Sequence, residues 1–123
     1  MEYLHAQYEY DCARKLHSPY TQQIQYVFKD SRGAYMASTL MTPFKKYWGA
    51  KMQNDGAYFS EDQARFYAAE LLLAVEEAHS KNIAHRDVRM DNLLLDQDGH
   101  LILADFGAAW DKARGDILRQ PWR

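Results

Sequence analysis

Asp87, Arg89 and Asn92 fall within the run HRDVRMDN, and Asp105 opens DFG thirteen residues after Asn92. These residue types at this spacing suit phosphoryl transfer. In that chemistry a protein does little covalent work; it orients a hydroxyl, holds divalent metal against phosphates and neutralises developing charge. Asp87 can accept or orient the hydroxyl proton, and Arg89, two residues on, can reach the transferred phosphate. Asn92 and Asp105 offer a neutral and an anionic oxygen, the donor type that hard Mg²⁺ prefers, with phosphate and water completing its octahedron. Gly107 lets the backbone turn straight after the metal-binding acid without a side-chain clash.

Loops that do such work need elements to hold them. The stretch NLLLDQDGHLILADFG reads as two apolar strands joined through Asp96 to Gly99, where Gly99 can take the positive φ of a tight hairpin. Upstream, Ser60 with Gln63 three residues on forms a capping box. Ala64, Tyr67, Ala68, Leu71, Val75 and Ala78 then make one apolar helical stripe. Across residues 2–16, Leu4, Tyr8, Cys12 and Leu16 recur every four positions, which favours a helix; Pro19 ends it by disfavouring helical geometry at Ser18. IQYVFKD and AYMAST flank the turn-like DSRG, predicting a strand pair at Ile24 to Lys29 and Ala34 to Ser38. From Thr42 to Tyr58 the pattern breaks around Pro43, Gly49 and Gly56, leaving one short helix at Phe44 to Met52. The fold class expected is α+β.

Composition sets the bounds. The chain has 123 residues, 47% hydrophobic and 26% charged, enough for one globular domain or part of a larger one. A net charge of −2 supplies no basic field, so neither nucleic acid nor an anionic membrane is an expected partner. Cys12 is the sole cysteine and cannot make an internal disulfide; the opening MEYLHAQYEY has neither a basic n-region nor an apolar h-region. The expected compartment is the cytoplasm. No apolar run approaches the length that spans a bilayer, and there is no internal repeat or low-complexity segment.

HRDVRMDNLLLDQDGHLILADFG resembles the catalytic loop, intervening hairpin and magnesium loop of the eukaryotic protein kinases. HSPYTQQIQYVFKDSRGAYM and ARFYAAELLLAVEEAHSKNIAHRD are similar to the citron, myotonic-dystrophy and Rho-associated kinase branch of the AGC group, from Glu9 to Trp110. The resemblance implies a partial protein-kinase-like fold: a small-lobe helix and two strands in residues 1–40, a hinge or linker in 41–58, and in 59–123 a large-lobe helix, the catalytic and magnesium loops and a truncated activation segment. It implies Asp87 as catalytic base, Asn92 and Asp105 as magnesium ligands, and His85 and Phe106 as packing residues. Arg86 would face an activation-loop phosphate. Arg89 stands where Ser/Thr kinases carry Lys, which implies Ser/Thr specificity while replacing a point charge by a planar one. Glu9 falls on the helix glutamate that pairs the nucleotide-binding lysine, Ser38 at the gatekeeper, and Thr39 and Leu40 on the hinge that meets adenine. ATP, Mg²⁺ and a protein substrate are the implied partners.

The sequence departs from that pattern in several places. No lysine precedes Glu9, and no Gly-rich loop stands upstream. After Ser38 no carboxylate appears until Asp55, where a ribose-binding acid is expected, and residues 108–123 contain no Ser, Thr or Tyr. These 123 residues alone are therefore expected to transfer phosphate poorly. The alternative reading is a non-catalytic kinase remnant acting as a binding or regulatory module. A small-molecule kinase of the aminoglycoside or choline type is a third, which the strand pair and the long capped helix fit less well. Tyr8, Tyr10, Tyr26 and Tyr67 read as core or rim aromatics. KAR and the LRQPWR end read as a truncated, solvated segment, with Trp110 and Trp122 short of packing partners.

Overall fold

The computed structural model describes residues 3–55 and 59–114. Glu2, Gly56, Tyr58, Trp122 and the LRQPWR end, all used in the sequence reading, lie outside the described residues.

Helix α1 (Tyr3–Ala13) buries Ala6, Tyr8, Glu9, Cys12 and Ala13 along one side. It stops three residues short of the expected end. Lys15 and Leu16 hydrogen-bond three residues back, to Cys12 and Ala13, so the last turn tightens and swings Leu16 into the core. Leu4, expected on the apolar stripe, is 66% exposed.

Strands β1 (Ile24–Asp30) and β2 (Gly33–Ser38) form the expected antiparallel pair, with a bulge between Ile24 and Tyr26. Asp30 Oδ1 closes its turn by accepting from the amides of Arg32 and Gly33, an Asx-type turn. One face of the pair packs on α1; the other exposes Tyr26 and a stacked Phe28–Tyr35 pair.

A two-residue strand β3 (Thr42–Pro43) leads into α2 (Phe44–Asp55). Thus the poorly patterned region does hold the expected helix, extended by one turn. Phe44 anchors it: its ring meets Phe59 and Tyr67 at centroid distances of 5.6 and 5.1 Å, and Tyr47 stacks on Phe59.

Helix α3 (Glu61–Ser80) starts at the predicted capping box, with Gln63 N–H donating to Ser60 Oγ and Ser60 N–H to Gln63 Oε1. Its inward face is rotated from the expected stripe. Ala64 and Ala68 are exposed; Tyr67, Glu70, Leu71, Ala74, Val75 and Ala78 turn inward. The cause is Glu70, which is buried and accepts the Leu101 amide with one oxygen while meeting His100 Nδ1 with the other, at 3.1 and 2.7 Å.

After the short strand β4 (Ile83–Ala84), the hairpin of β5 (Leu93–Leu95) and β6 (Leu101–Leu103) pairs Leu93 with Leu103 and Leu95 with Leu101. Gly99 takes φ +83° in its turn, as anticipated. β3 joins the other edge of β5, giving the sheet order β3-β5-β6, and the chain at Tyr20 to Gln22 runs beside Leu103. Finally β7 (Trp110–Asp111) pairs with β4. Trp110 therefore does have a partner, pairing with Ala84 and lining a small apolar cleft with Ile83, and KAR is not a solvated stretch, because Arg114 pairs with Asp11 and lies over the Tyr8 ring. The fold is of the α+β class, as expected, and α1, α3 and the β5–β6 hairpin enclose one core.

Candidate active site

The two motif-bearing loops sit at the same end of the β5–β6 hairpin. Asn92 immediately precedes β5 and Asp105 follows β6 by two residues; Ala104 N–H bonds back to Asn92 carbonyl at 2.9 Å. The ladder thereby fixes one loop against the other.

His85 spans them. It is buried, its Nε2 donates to the Ala104 carbonyl at 2.8 Å, and its Nδ1 accepts from Asp87 N–H at 3.1 Å. A ring nitrogen facing a carbonyl must carry the proton and one facing an N–H must not, so this is the neutral Nε2–H tautomer. Phe106 stands edge-on to the ring at 4.7 Å. Both residues occupy the packing places expected of them.

The Asn92 side-chain amide donates to the Asp87 carbonyl at 2.8 Å and to Asp87 Oδ2 at 3.0 Å. A short 3-10 turn, Met90–Asn92, holds the amide there through Asn92 N–H on the Arg89 carbonyl. Among the described residues, Asp87 Oδ1 and Asn92 Oδ1 accept no hydrogen bond.

Asp105 adopts φ +62°, a left-handed conformation uncommon outside glycine. Its Oδ1 accepts from Gly107 N–H at 3.2 Å, opening a 3-10 turn at Phe106–Ala108. The positive φ thus falls on the acid and not on the glycine. Gly107 is needed for space: a Cβ there would lie 3.1 Å from Asp105 Oδ1 and 3.2 Å from Glu9 Oε1.

Arg86 also has a left-handed backbone, φ +69°, and its Nε donates to Ala108 carbonyl at 2.9 Å. Arg89 lies on Asp91, which also pairs with Lys45 of α2 at 3.2 Å. The Lys45 contact, then Arg89, holds the Asp91 carboxyl below the usual carboxylate range. Arg89 is more than half exposed.

Glu9 is 7% exposed and faces the Phe106–Ala108 turn, its carboxylate lying close against Gly107. Burial first, and the Asp105 carboxylate second, push its pKa up to about 7. Among the described residues it has no cationic partner.

The protein kinase domain family matches residues 1–118. The chain belongs to that family. It is 40% identical over 101 residues to a probable serine/threonine-protein kinase of Dictyostelium discoideum, covering 82% of this chain and 22% of that protein. Rho-associated protein kinase 1 of Homo sapiens is 38% identical over 113 residues, 90% of this chain and 8% of the relative. Serine/threonine-protein kinase CBK1 of Pneumocystis carinii is 38% identical over 109 residues, 84% and 20%. The chain spans less than a quarter of the length of these relatives. The AGC-type resemblance read from the motifs agrees with them.

Within this kinase-family segment, Thr39 and Leu40 lie between β2 and β3, both exposed, Leu40 at 88%. Ser38 Oγ accepts from Gln22 Nε2 at 3.0 Å. These residues are apart from the Asp87–Asn92–Asp105 group, on the far end of β3 from the loops. Sequence reading missed Glu70, Lys45 and Asp91 as organising groups. An acid among the apolar residues of α3 was a usable signal for Glu70; the Lys45–Asp91 pair joins residues 46 apart and had none.

Among the described residues no three His, Cys, Asp or Glu side chains gather as a metal cage. One carboxylate and one amide oxygen fit Mg²⁺ better than softer metals, because that ion keeps waters and takes substrate phosphate as ligands. No helix among the described residues is long and apolar enough to cross a membrane.

Proposed function

We propose that this segment carries the catalytic and magnesium loops of a serine/threonine protein kinase, which transfers the γ-phosphate of ATP to a protein hydroxyl. The observation that carries the reading is the Asn92 amide bonded to both the carbonyl and the carboxylate of Asp87. With its Nδ2 committed to Asp87, Asn92 presents Oδ1, while Asp87 keeps Oδ1 for the incoming hydroxyl. Asp87 is the base or orienter, and Asn92 Oδ1 with the Asp105 carboxylate would hold Mg²⁺. An ion held there would supply positive charge against the phosphates. Arg89 supplies a further cation once released from Asp91. Thr39 and Leu40 are assigned to the adenine through their backbone, and Glu9 to a lysine that precedes it in the family. Residues 1–40, 41–58 and 59–123 are then a small-lobe part, a connecting part and a large-lobe part.

The test is a chimaera in which flanking kinase-domain segments of the Dictyostelium relative are joined to residues 1–123. Phosphate incorporation into a Ser/Thr peptide mixture is expected, reduced at least ~100-fold by Asp87→Asn, with residues 1–123 alone far slower than the chimaera. A chimaera that binds Mg²⁺ and ATP but transfers nothing would favour the non-catalytic reading, for which the motivating observation is that Glu9 has no cationic partner among the described residues.

A further inference from the structure

Helix α1 grips the chain within and beyond the Phe106–Ala108 turn. Within the turn, the Glu9 carboxylate lies close against Gly107. Beyond it, Tyr8 Oη donates to the Ala109 carbonyl at 2.9 Å and accepts from Asp111 N–H at 3.3 Å. Lys15 pairs with Asp111, whose side chain is 1% exposed and whose other oxygen accepts the Ala113 amide. Arg114 pairs with Asp11 at 2.7 Å and lays its guanidinium 5.2 Å from the Tyr8 ring centre.

The order of charges matters. The helix brings a negative charge at Asp11 and the turn just past its end a positive one at Lys15; the later segment brings a negative charge at Asp111 and a positive one at Arg114. Sliding either element to exchange the partners would oppose like charges and strand the buried Asp111 carboxylate, so the pattern selects one register. The tie also acts on backbone, since the Tyr8 hydroxyl satisfies main-chain groups of Ala109 and Asp111 directly. Asp105, four residues before Ala109, sits in a left-handed conformation that persists only when its surroundings over-determine it. His85 fixes the chain at Ala104 on one side, and the α1 contacts fix it from Ala109 on the other.

We propose that Tyr8, Asp11, Lys15, Asp111 and Arg114 form a crossed-charge latch by which α1 sets the position of the Asp105 carboxylate. They are positioning residues, and the assignment rests on Asp105 being the metal-binding acid of the proposed function. Residues 108–123 contain no Ser, Thr or Tyr. Within that stretch the tie uses charges present at all times and does not wait for phosphorylation.

Hydrogen exchange by mass spectrometry on the full chain, with Arg114→Asp, Asp11→Arg and the double exchange, tests the latch. Each single change is expected to speed exchange over residues 105–109 about five- to tenfold, within the range of coupling energies for neighbouring charges. Residues 101–103 should stay unchanged, and the double variant should return to within about twofold of the parent. Tyr8→Phe, which keeps the ring, gives a second and milder probe of the same segment. Unchanged exchange in the single variants and Tyr8→Phe, or a double variant no better than the singles, overturns the latch. Adding Mg²⁺ and ATP to the same variants in the kinase-domain chimaera reads the positioning itself: the Mg²⁺ concentration that half-protects residues 105–108 should rise several-fold in the single variants and recover in the double. If the parent shows no such protection while the exchange pattern holds, the metal assignment fails, and with it the claim that the latch positions a metal ligand.

Discussion

Asn92 bonds Asp87 twice, through its carbonyl and its carboxylate. That side-chain amide is the sole donor on the Asp87 carboxylate among the described residues, and Asn92 is nearly buried. Asn92→Asp would replace the donor by an acceptor and set like charges against each other. A loss of about 1–3 kcal/mol is expected, the usual cost of leaving such a group unsatisfied. Urea unfolding of the chain checks it, with the midpoint moving and the slope unchanged.

The Glu70–His100 pair predicts a pH dependence. Hydrogen bonding to Glu70, then its charge, raises the His100 pKa above 6.5, with smaller contributions from Asp96 and Asp98. A histidine whose folded value lies above its unfolded one stabilises fully below the unfolded pKa, and loses that contribution as pH rises through the folded value. The chain should therefore lose stability upward from pH 6.5 relative to His100→Gln. Urea midpoints of both proteins at pH 6 and pH 8.5 read the difference; parallel changes would show that the pair contributes nothing.

Among the described residues two apolar faces are exposed. On α3, Phe66, Leu72 and Leu73 are 47%, 65% and 46% exposed, and β1–β2 exposes Tyr26 and Phe28. Faces of this kind bind other apolar surface. Residues 1–123 should self-associate at micromolar concentration, and Leu72→Lys with Phe28→Lys should reduce it. Sedimentation velocity across a concentration series decides the matter: a monodisperse parent at all concentrations would contradict it.

What could be read from the sequence was local. The α3 cap lies within four residues, the Gly99 turn within one hairpin, and both stand where the pattern put them. The two motif loops were legible because a short hairpin ties them. The end of α1 was not, since Leu16 is pulled inward by a tightened turn that serves the core and leaves no local mark. Nor was the phase of α3, where a charged residue, Glu70, occupies the centre of the buried face. The left-handed backbone fell on Asp105, where glycine propensity pointed two residues later. Pairs such as Lys15–Asp111 join residues 96 apart and carry no signal in periodicity or spacing.

The two acids are separable by their effects on nucleotide binding and on turnover, measured in the kinase-domain chimaera. Asp105 is exposed, with Oδ2 free of hydrogen bonds among the described residues, and would be available to hold a metal ion. Asp105→Asn replaces a carboxylate by a poorer donor for a hard cation and should weaken Mg²⁺-dependent ATP binding along with turnover. Asp87 is half-buried against Asn92, and the role proposed for it is on the attacking hydroxyl, which is absent from the binary nucleotide complex. Asp87→Asn should leave nucleotide affinity within about twofold of the parent while lowering turnover at least ~100-fold, as for a group that acts mainly in the transition state. Calorimetric affinity for Mg²⁺·ATP beside steady-state rates for both variants gives the comparison. Equal losses of affinity in the two variants would mean that base and metal ligand are wrongly assigned. Unchanged turnover in Asp87→Asn would remove Asp87 from the chemistry altogether.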